Sequence, residues 1–302
     1  MGNMIATVCA LCGKNQDTRE LYPATFGLKS ISHATFSARR VPDQVHYRLV
    51  KCDRCGLIFS NPIFSPAEIT KFYHRSICTY DEQITYVTET YLASFEMIRR
   101  KIPKQPKVLE VGCGNAFFLE KLRVRIGAKV WGVEPGESMV AQAPASVQKH
   151  IICDIFKPHQ FKNNTFDVVF CFHTLDHMTD PNSFVREAFR ILKPGGFVMV
   201  VVHDTDGWSV KLFGERSPIF DIEHIYLFNK KTLAQLFRNH KFGVVDAFDL
   251  RNTYPVSYWL RMSGFPSYVK EVGQKVLSIL GLSHIPFSFP GGNIAFIAQK
   301  PR

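Results

Sequence analysis

The stretch K-V-L-E-V-G-C-G-N-A-F-F-L-E-K-L, residues 107–122, constrains the fold of this chain more than any other segment. It has the pattern of a short apolar strand, a glycine-containing turn and an amphipathic helix, which is typical of nucleotide-binding sites. Further strand-like segments follow: K-V-W-G-V-E, roughly 148–153, F-D-V-V-F-C-F, and a fifth after the turn L-K-P-G-G. Because strands that alternate with helices form parallel sheets, the sequence predicts an α/β, doubly wound, mostly parallel sheet.

Two positions around the glycine turn indicate which nucleotide it takes. A dinucleotide fingerprint that starts at Gly112 and Gly114 needs a third glycine where this chain has Phe117. The carboxylate of Glu110 would repel a pyrophosphate but suits a cationic ammonium group. The sequence therefore disfavours NAD and favours a cofactor that carries an amino acid.

Acidic residues follow the next two strands. Glu134 ends the strand K-V-W-G-V-E, 20 residues beyond Gly114, where a carboxylate can accept both hydroxyls of a ribose. Asp154 follows the third strand and is placed to contact an adenine amino group. Since strand ends at the carboxyl edge of such a sheet face the site, we expect both side chains to contact the cofactor.

In this order, E-V-G-C-G-N-A, Glu134, Asp154, F-D-V-V-F and L-K-P-G-G resemble successive motifs of class I methyltransferases, over residues 106–250. The resemblance implies a seven-stranded Rossmann-like sheet and S-adenosyl-L-methionine as the cofactor. The cofactor-binding residues that it implies are Glu110, Gly112, Cys113, Gly114, Glu134, Asp154 and His173. Ala116 stands where many members have a third glycine, and we expect its methyl group at most to weaken binding.

Four of the eight cysteines form two C-x-x-C pairs, Cys9/Cys12 and Cys52/Cys55. The glycine after each pair, Gly13 or Gly56, allows a turn with positive φ in which amide groups point at the thiolates. Four thiolates satisfy tetrahedral zinc and leave no open position, so the expected role is structural. The alternative is a redox dithiol, but that chemistry needs one C-x-x-C opening a helix after a strand.

The two cysteine knuckles, followed by Asn61-Pro62 and Ser65-Pro66, resemble a bacterial subgroup of class I methyltransferases that carries a zinc ribbon. Its members often act on sugars, surface-polysaccharide precursors or secondary metabolites. The predicted organisation is a zinc-binding module at 1–62, a helical linker or lid at 63–105, and a methyltransferase domain at 106–302. Helical patterning in the linker starts at Pro66 and recurs at Tyr91, Leu92, Phe95 and Ile98.

About forty residues, 251–292, separate two closing strands expected near 244–250 and 293–299. Apolar and aromatic residues recur there at helical spacing, with basic residues alongside: Tyr268, Val272, Val276, Ile279 and Leu280, with Arg251, Arg261, Lys270 and Lys275. Long insertions in compact domains are often functional. This one can cap the core or form a dimer contact, or it can lie on a membrane surface or act as a lid.

Histidines are the candidate bases for a methyl acceptor. Methyl transfer from a sulfonium mainly requires alignment, and histidine is the usual group that takes a proton near neutral pH. His173 follows the fourth strand, His203-Asp204 follows the fifth, and His224 stands in D-I-E-H-I-Y-L-F-N, where similar family members carry a histidine facing the substrate pocket. The alternative for each is a structural hydrogen bond, the role that we predict for His177.

The formal charge of +11 is unevenly distributed, with excesses of 5, 1 and 5 basic residues over 1–105, 106–205 and 206–302. Basic flanks can attract an anionic small-molecule acceptor, a nucleic acid or an acidic membrane, or simply keep the chain in solution. The N-terminus lacks the pattern of a secretory signal, and no apolar run could span a bilayer of ~30 Å, so we expect a cytoplasmic protein.

Two other functions stay open. The basic flanks and the zinc ribbon suit a nucleic-acid methyltransferase acting on RNA, but H-T-L-D stands after the fourth strand in place of an N-P-P-Y-type base-flipping tetrapeptide. A non-catalytic cofactor-binding scaffold is the other alternative, which the complete set of cofactor motifs disfavours. The expected function is therefore methyl transfer from S-adenosylmethionine to a small molecule.

Overall fold

The computed structural model describes residues 4–14, 16–27, 36, 43–75 and 84–302, so the middle of the predicted linker, 76–83, lies outside the described residues. The strands are β1 Met4–Ile5, β2 Thr18–Tyr22, β3 Leu49–Cys52, β4 Ile58–Ser60, β5 Ile63–Phe64, β6 Lys107–Val111, β7 Lys129–Val133, β8 Ile151–Ile152, β9 Phe166–Phe172, β10 Leu192–His203, β11 Tyr226–Leu227, β12 Gly243–Pro255 and β13 Pro286–Gln299. The helices are α1 Pro66–His74, α2 Ile84–Arg99, α3 Phe117–Ile126, α4 Glu137–Ala141, α5 Ala145–Gln148, α6 Pro181–Ile191, α7 Trp208–Phe213, α8 Lys230–Asn239, α9 Val256–Met262 and α10 Ser267–Ile279.

The central sheet has seven strands in the order β12-β13-β10-β9-β6-β7-β8. Strands β6 to β10 pair in parallel, and β13 runs antiparallel to both β10 and β12. Every residue of β9 is buried, as expected for a central strand covered on both faces. The predicted doubly wound, mostly parallel Rossmann-like sheet is therefore confirmed. The strand order reverses at β6, and a ligand crevice is expected at the carboxyl end of the strands beside this point.

Helices pack against the central sheet: α2 and α3 contribute to one core cluster, and α6 and α8 contribute to another. The predicted apolar face of α2, Tyr91, Leu92, Phe95 and Ile98, is buried in the core. Helix α1 begins as predicted at Pro66, and Ser65 caps it in a capping box with Glu68. This cap fixes the direction in which the chain leaves the N-terminal module and enters the catalytic domain.

The N-terminal module is joined to the catalytic domain by a shared sheet. Its strands β2, β3 and β4 continue into β11, which belongs to the catalytic domain. Ser60 lies at this junction: its amide donates to Ile225 O at 2.8 Å and its hydroxyl to His224 O at 3.0 Å. The hydroxyl of Tyr226 also donates to Val8 O, at 2.9 Å. The module is therefore fastened to His224 and to the two residues that follow it.

Three predicted strands differ from the observed ones. The third, predicted at roughly 148–153, comprises only Ile151–Ile152, and the prediction is wrong for Gln148 because α5 extends to that residue. The fifth begins early, at Leu192, and includes L-K-P-G-G with a register shift. The closing strands are longer than predicted because Thr253 and Tyr254 pair with residues 288 and 287 of β13. The pairing extends a hairpin beyond the sheet edge.

Helices α9 and α10 lie between the two arms of this hairpin. Gly273 of α10 faces Leu260 of α9, so the two helices are in close contact on that side. The opposite side of α10 is exposed, with Tyr268 at 69% and Ile279 at 83% of their full accessibility. None of the described helices is long and apolar enough to cross a membrane.

Candidate functional site

The turn after β6 brings backbone close to the carboxyl edge of the sheet. Gly112 has φ of 76°, and a Cβ at this position would overlap the Thr174 side chain. Its amide donates to Val133 O at 2.8 Å, which holds the turn against β7. Ala116 also has a left-handed backbone, with φ of 59°, and precedes α3. Ala116 therefore adopts, at some cost in backbone strain, the left-handed conformation at the position where many family members have glycine.

Glu110 lies beneath this turn with an unsatisfied carboxylate. Its side chain is 3% exposed, and its Oε2 has no hydrogen-bond partner among the described residues. Burial, followed by the charge of Glu134, raises the pKa of Glu110 well above 4.5. An ammonium group would remove this penalty by supplying charge and hydrogen bonds. The site thus fits the amino-acid end of S-adenosylmethionine.

Glu134 ties the glycine turn to the loop after β7. Its carboxylate accepts the amide of Gly114 at 2.9 Å and that of Gly136 at 2.8 Å. Burial raises the pKa of Glu134, and these two amides oppose the rise. Each carboxylate oxygen retains a second lone pair for a hydroxyl donor. The arrangement is suited to two ribose hydroxyls.

A cavity of about 420 Å³ runs beside the glycine turn and Glu134, but Glu110 is not among its lining residues. Gly112, Gly114, Glu134 and His173 line one end of it, and Ile155 and Phe156 line the part beyond Glu134. A flat apolar group such as adenine would fit between these last side chains and Met139. The cavity therefore connects the glycine turn with the strand ends that the sequence assigns to the same cofactor.

Asp154 and Cys113 differ from the other predicted cofactor residues. Asp154 pairs with Lys157 and accepts the Ile155 amide at 2.7 Å, and it is absent from the cavity lining. The Lys157 charge and this amide hold its pKa below the ordinary value. Cys113 is buried, and its sulfur packs against Gly132 rather than the 420 Å³ cavity. The structure therefore brings Gly112, Gly114, Glu110, Glu134 and His173 together around the glycine turn. Asp154 instead forms an ion pair with Lys157.

A second cavity, of about 240 Å³, adjoins the first at the glycine turn and His173. One wall is polar and holds His177, His203, His224 and Glu223. The other wall comes from the predicted insertion and is mostly aromatic: Tyr254, Tyr258, Trp259 and Met262. The second cavity thus combines imidazole and carboxylate side chains with aromatic side chains from β12 and α9.

The three predicted catalytic histidines lie together. The ring centroids of His173 and His203 are 5.1 Å apart, and those of His203 and His224 are 4.6 Å apart. His173 has φ of 48°, a left-handed conformation that occurs at functional sites when the surroundings enforce it. His177, which we expected to be structural, is in the same group, 4.9 Å from His224. Four imidazoles therefore face one space.

Burial keeps two of these imidazoles, His177 and His203, neutral near pH 7. It lowers the pKa of His203 to about 3, with the charge of His224 adding to the effect. The pKa of His177 lies well below 6.5 for the same reasons, burial first and then the neighbouring histidines. Asp176 shows the opposite shift: burial raises its pKa to about 7, against nearby backbone amides. His177 and His203 therefore offer lone pairs rather than positive charge to the cavity.

Sequence reasoning missed three residues of this group. The hydroxyl of Tyr73 lies 3.0 Å from His177 Nδ1, and Asn293 Oδ1 lies 2.9 Å from His203 Nδ1. Asp176 lies within reach of His177, with 3.9 Å between Oδ1 and Nε2. Asp176 could have been noticed in H-T-L-D-H. Tyr73 and Asn293 come from α1 and β13, and no local pattern marks them.

The four paired cysteines meet in the N-terminal module. Their sulfur atoms all lie within 4.8 Å of one another, with 3.4 Å between Cys9 and Cys55 and 3.9 Å between Cys12 and Cys52. Tetrahedral zinc with Zn–S bonds of ~2.3 Å separates its sulfur ligands by about 3.8 Å. Gly13 and Gly56 have the predicted positive φ. None of the four forms a disulfide. The donor set and its spacing fit zinc.

Comparisons with known proteins identify the family of the chain. The family model described as "Methyltransferase domain" matches residues 80–247, more than half of the chain. The ubiquinone biosynthesis O-methyltransferase of Pseudomonas putida is 27% identical over 192 residues, covering 60% of this chain and 70% of that protein. The enzyme of the same description from Pseudomonas fluorescens is 28% identical over 189 residues, with the same coverage. A solved SAM-dependent methyltransferase of Thermotoga maritima is 19% identical, with a TM-score of 0.48, covering 73% of this chain and 92% of that one.

Proposed function

The chain belongs to the methyltransferase-domain family and is an S-adenosylmethionine-dependent methyltransferase of small molecules, and we propose that its acceptor is a hydroxyl group bound in the histidine-lined cavity. The observation that carries the proposal is the junction of the two cavities at Gly112, Gly114 and His173. A cofactor in the larger cavity, with its ammonium group extended past the junction to Glu110 of the smaller cavity, would meet an acceptor bound in the smaller cavity. Such alignment is the main protein contribution to this displacement.

Three residues would bind the cofactor. The cofactor supplies an electrophilic methyl group on a sulfonium. Glu110 would hold its ammonium group, Glu134 its ribose hydroxyls, and the bare backbone of Gly112 allows close approach. Asp154, held by Lys157, would reach the adenine only after giving up that ion pair, so Ile155 and Phe156 are the stronger adenine contacts.

The histidines would act on the acceptor. Nδ1 of His224 lies 2.7 Å from the carbonyl oxygen of Ile219, so this nitrogen must carry the proton and Nε2 must carry the lone pair. A lone pair directed by a fixed backbone partner can take a proton or orient a hydroxyl. We assign this role first to His224, with His203 and His173 as the neighbouring candidates.

The chemical class of the acceptor follows from both walls of the cavity. Oxygen is the methylated atom in the relatives named above, and a hydroxyl suits the neutral imidazoles at the polar end. The aromatic wall of Tyr254, Tyr258 and Trp259 suits a ring, either aromatic or sugar. Hydroxylated aromatics are favoured by the relatives, whereas sugars and polysaccharide precursors remain the class suggested by the zinc ribbon.

The experiment is a panel of hydroxylated aromatics, sugars and short RNAs, with release of S-adenosylhomocysteine as the readout. We expect turnover with a small hydroxylated acceptor. His224→Ala should then lose 10²–10⁴-fold in rate while keeping cofactor affinity and melting temperature. His284→Ala, an exposed histidine, is the matched control. Turnover with RNA alone, or full turnover by His224→Ala, would contradict the proposal.

We also propose that the outer face of α10 contacts an acidic membrane surface. Tyr268, Val272 and Ile279 are each more than half exposed on this face, and Lys275 is exposed beside them. An apolar helix face flanked by basic residues is typical of interfacial helices. Flotation with anionic phospholipid vesicles should recover the wild type but not Ile279→Glu, whereas Val124→Glu, exposed on α3, should float. A dimer that Ile279→Glu disrupts, without flotation, would favour a subunit contact.

A further inference from the structure

Besides the four cysteines, one other group among the described residues brings metal-ligand atoms together. Asp176, His177 and His224 each offer one such atom, and the three atoms lie within 4.8 Å of one another. Asp176 and His177 belong to the 3-10 turn Leu175–His177 after β9, and His224 precedes β11. The fold, rather than a local motif, assembles the group: His177 and His224 line the acceptor cavity, and Asp176 is buried outside its lining.

Asp176 is the least satisfied member of this group. Its side chain is 1% exposed, and neither Oδ1 nor Oδ2 has a well-formed hydrogen bond among the described residues, although the backbone amides of Asp176 and His203 lie nearby. A buried polar atom without a partner costs about 1–3 kcal/mol, and more when it is charged. A carboxylate in this position indicates a ligand that neutralises it.

The two histidines are oriented in the way of metal ligands. His224 Nδ1 donates to the carbonyl oxygen of Ile219, which directs the lone pair of Nε2 into the cavity. His177 Nδ1 lies 3.0 Å from the hydroxyl of Tyr73, and its Nε2 is on the side of Asp176, 3.9 Å from Oδ1. Metal-ligating histidines usually have their second nitrogen fixed by such a partner.

We propose that Asp176, His177 and His224 bind a divalent transition-metal ion of the Mn²⁺, Fe²⁺, Co²⁺ and Zn²⁺ class. Two imidazoles and one carboxylate are a donor set that proteins use for these ions while leaving coordination positions open. Bond lengths of ~2.0–2.2 Å would draw the three ligand atoms slightly closer than they now lie. The open positions would face the cavity, where an acceptor oxygen can complete the coordination.

The role of this ion in methyl transfer rests on the proposed function, because the ion would bind the acceptor hydroxyl. A metal-bound hydroxyl loses its proton far more readily than a free one. The proton would leave to solvent water. The acceptor oxygen would then form the new O–CH₃ bond as the S–CH₃ bond breaks, and the sulfonium would become a neutral thioether. His224 would act here through the ion, next to the ring of His203, whose centroid lies 4.6 Å away.

The test is a titration of Mn²⁺ into the full-length protein with zinc already in the cysteine site and with neither cofactor nor acceptor present. Mn²⁺ prefers oxygen and nitrogen ligands, so the thiolates do not compete for it. Loss of the electron paramagnetic resonance signal of free Mn²⁺ reports binding. We expect one Mn²⁺ per chain in the wild type and at least tenfold weaker binding in Asp176→Asn.

Two variants separate ligation from a structural role. Tyr73→Phe removes only the partner of His177 Nδ1, and it should weaken Mn²⁺ binding 10–100-fold with an unchanged fold. His284→Ala should bind like the wild type. The proposal is overturned if the wild type binds no Mn²⁺, or if Asp176→Asn and Tyr73→Phe both bind it as tightly. Because no methyl transfer is measured, this result is independent of the panel of acceptors. If Asp176→Asn misfolds, the number of Mn²⁺ ions bound per wild-type chain still tests the proposal.

Discussion

The Glu134 carboxylate accepts the backbone amide of Gly114 at 2.9 Å, so the acidic residue after β7 holds the glycine turn after β6 in place. In the proposed cofactor site, recognition of the ribose and the position of the loop would therefore depend on the same side chain. Glu134 also accepts the amide of Gly136, which fixes the start of α4. A substitution here should alter binding both directly and through the turn.

Glu134→Ala should weaken S-adenosylmethionine binding by roughly 1.5–3 kcal/mol, the scale of hydrogen bonds between a charged group and two hydroxyls. Isothermal titration calorimetry measures the change. Glu137→Ala is the matched control, because Glu137 is exposed three residues further on and lines neither cavity. Equal affinity in Glu134→Ala and the control would show that the ribose is bound elsewhere.

Cofactor affinity should rise with pH because of Glu110. Burial raises its pKa well above 4.5 in the free protein, whereas a bound ammonium group would lower it, so binding releases a proton. Affinity is therefore expected to increase as pH rises from 4.5 toward the raised pKa, and then to level off. Calorimetry in two buffers of different ionisation enthalpy measures the proton. Glu110→Gln should bind more weakly and without this pH dependence, and a pH-dependent Glu110→Gln would assign the proton to another group.

Gly112→Ala should lower the free energy of unfolding by about 2–4 kcal/mol, since it combines left-handed strain with overlap against Thr174. Gly114→Ala is a close control. Gly114 has φ of 54°, but nothing lies within 4 Å of its added Cβ, so only the strain of about 1 kcal/mol remains. Denaturant unfolding compares the two variants. A similar loss of unfolding free energy in both variants would mean that the Thr174 side chain moves aside for the added methyl group.

The purified protein should contain about one zinc per chain, because two C-x-x-C pairs complete one tetrahedral site. The double variant Cys52→Ser/Cys55→Ser should lose it and unfold in the N-terminal module. Elemental analysis together with circular dichroism measures both effects. Cys153→Ser, at an exposed cysteine outside the cluster, should retain the metal. The same low zinc content in the wild type and the double variant would refute a structural zinc site.

Local patterns sufficed for the strand, turn and helix around Gly112 because each element there is defined by neighbours in the sequence. They did not suffice where distant segments meet. The pairing of β4 with β11 and the contact of Tyr73 with His177 join residues far apart in the chain, and no periodicity encodes such contacts. Asp154 shows a third case, in which Lys157 engages a residue that the pattern had assigned to the cofactor.

The measurement that bears most directly on the central claim is calorimetric titration of the zinc-loaded protein with S-adenosylmethionine, and separately with NAD. The buried carboxylate of Glu110 and the bulk of Phe117 predict one S-adenosylmethionine per chain and no binding of NAD. Saturable binding of NAD without binding of S-adenosylmethionine would contradict the assignment of the 420 Å³ cavity to a cofactor that carries an amino acid.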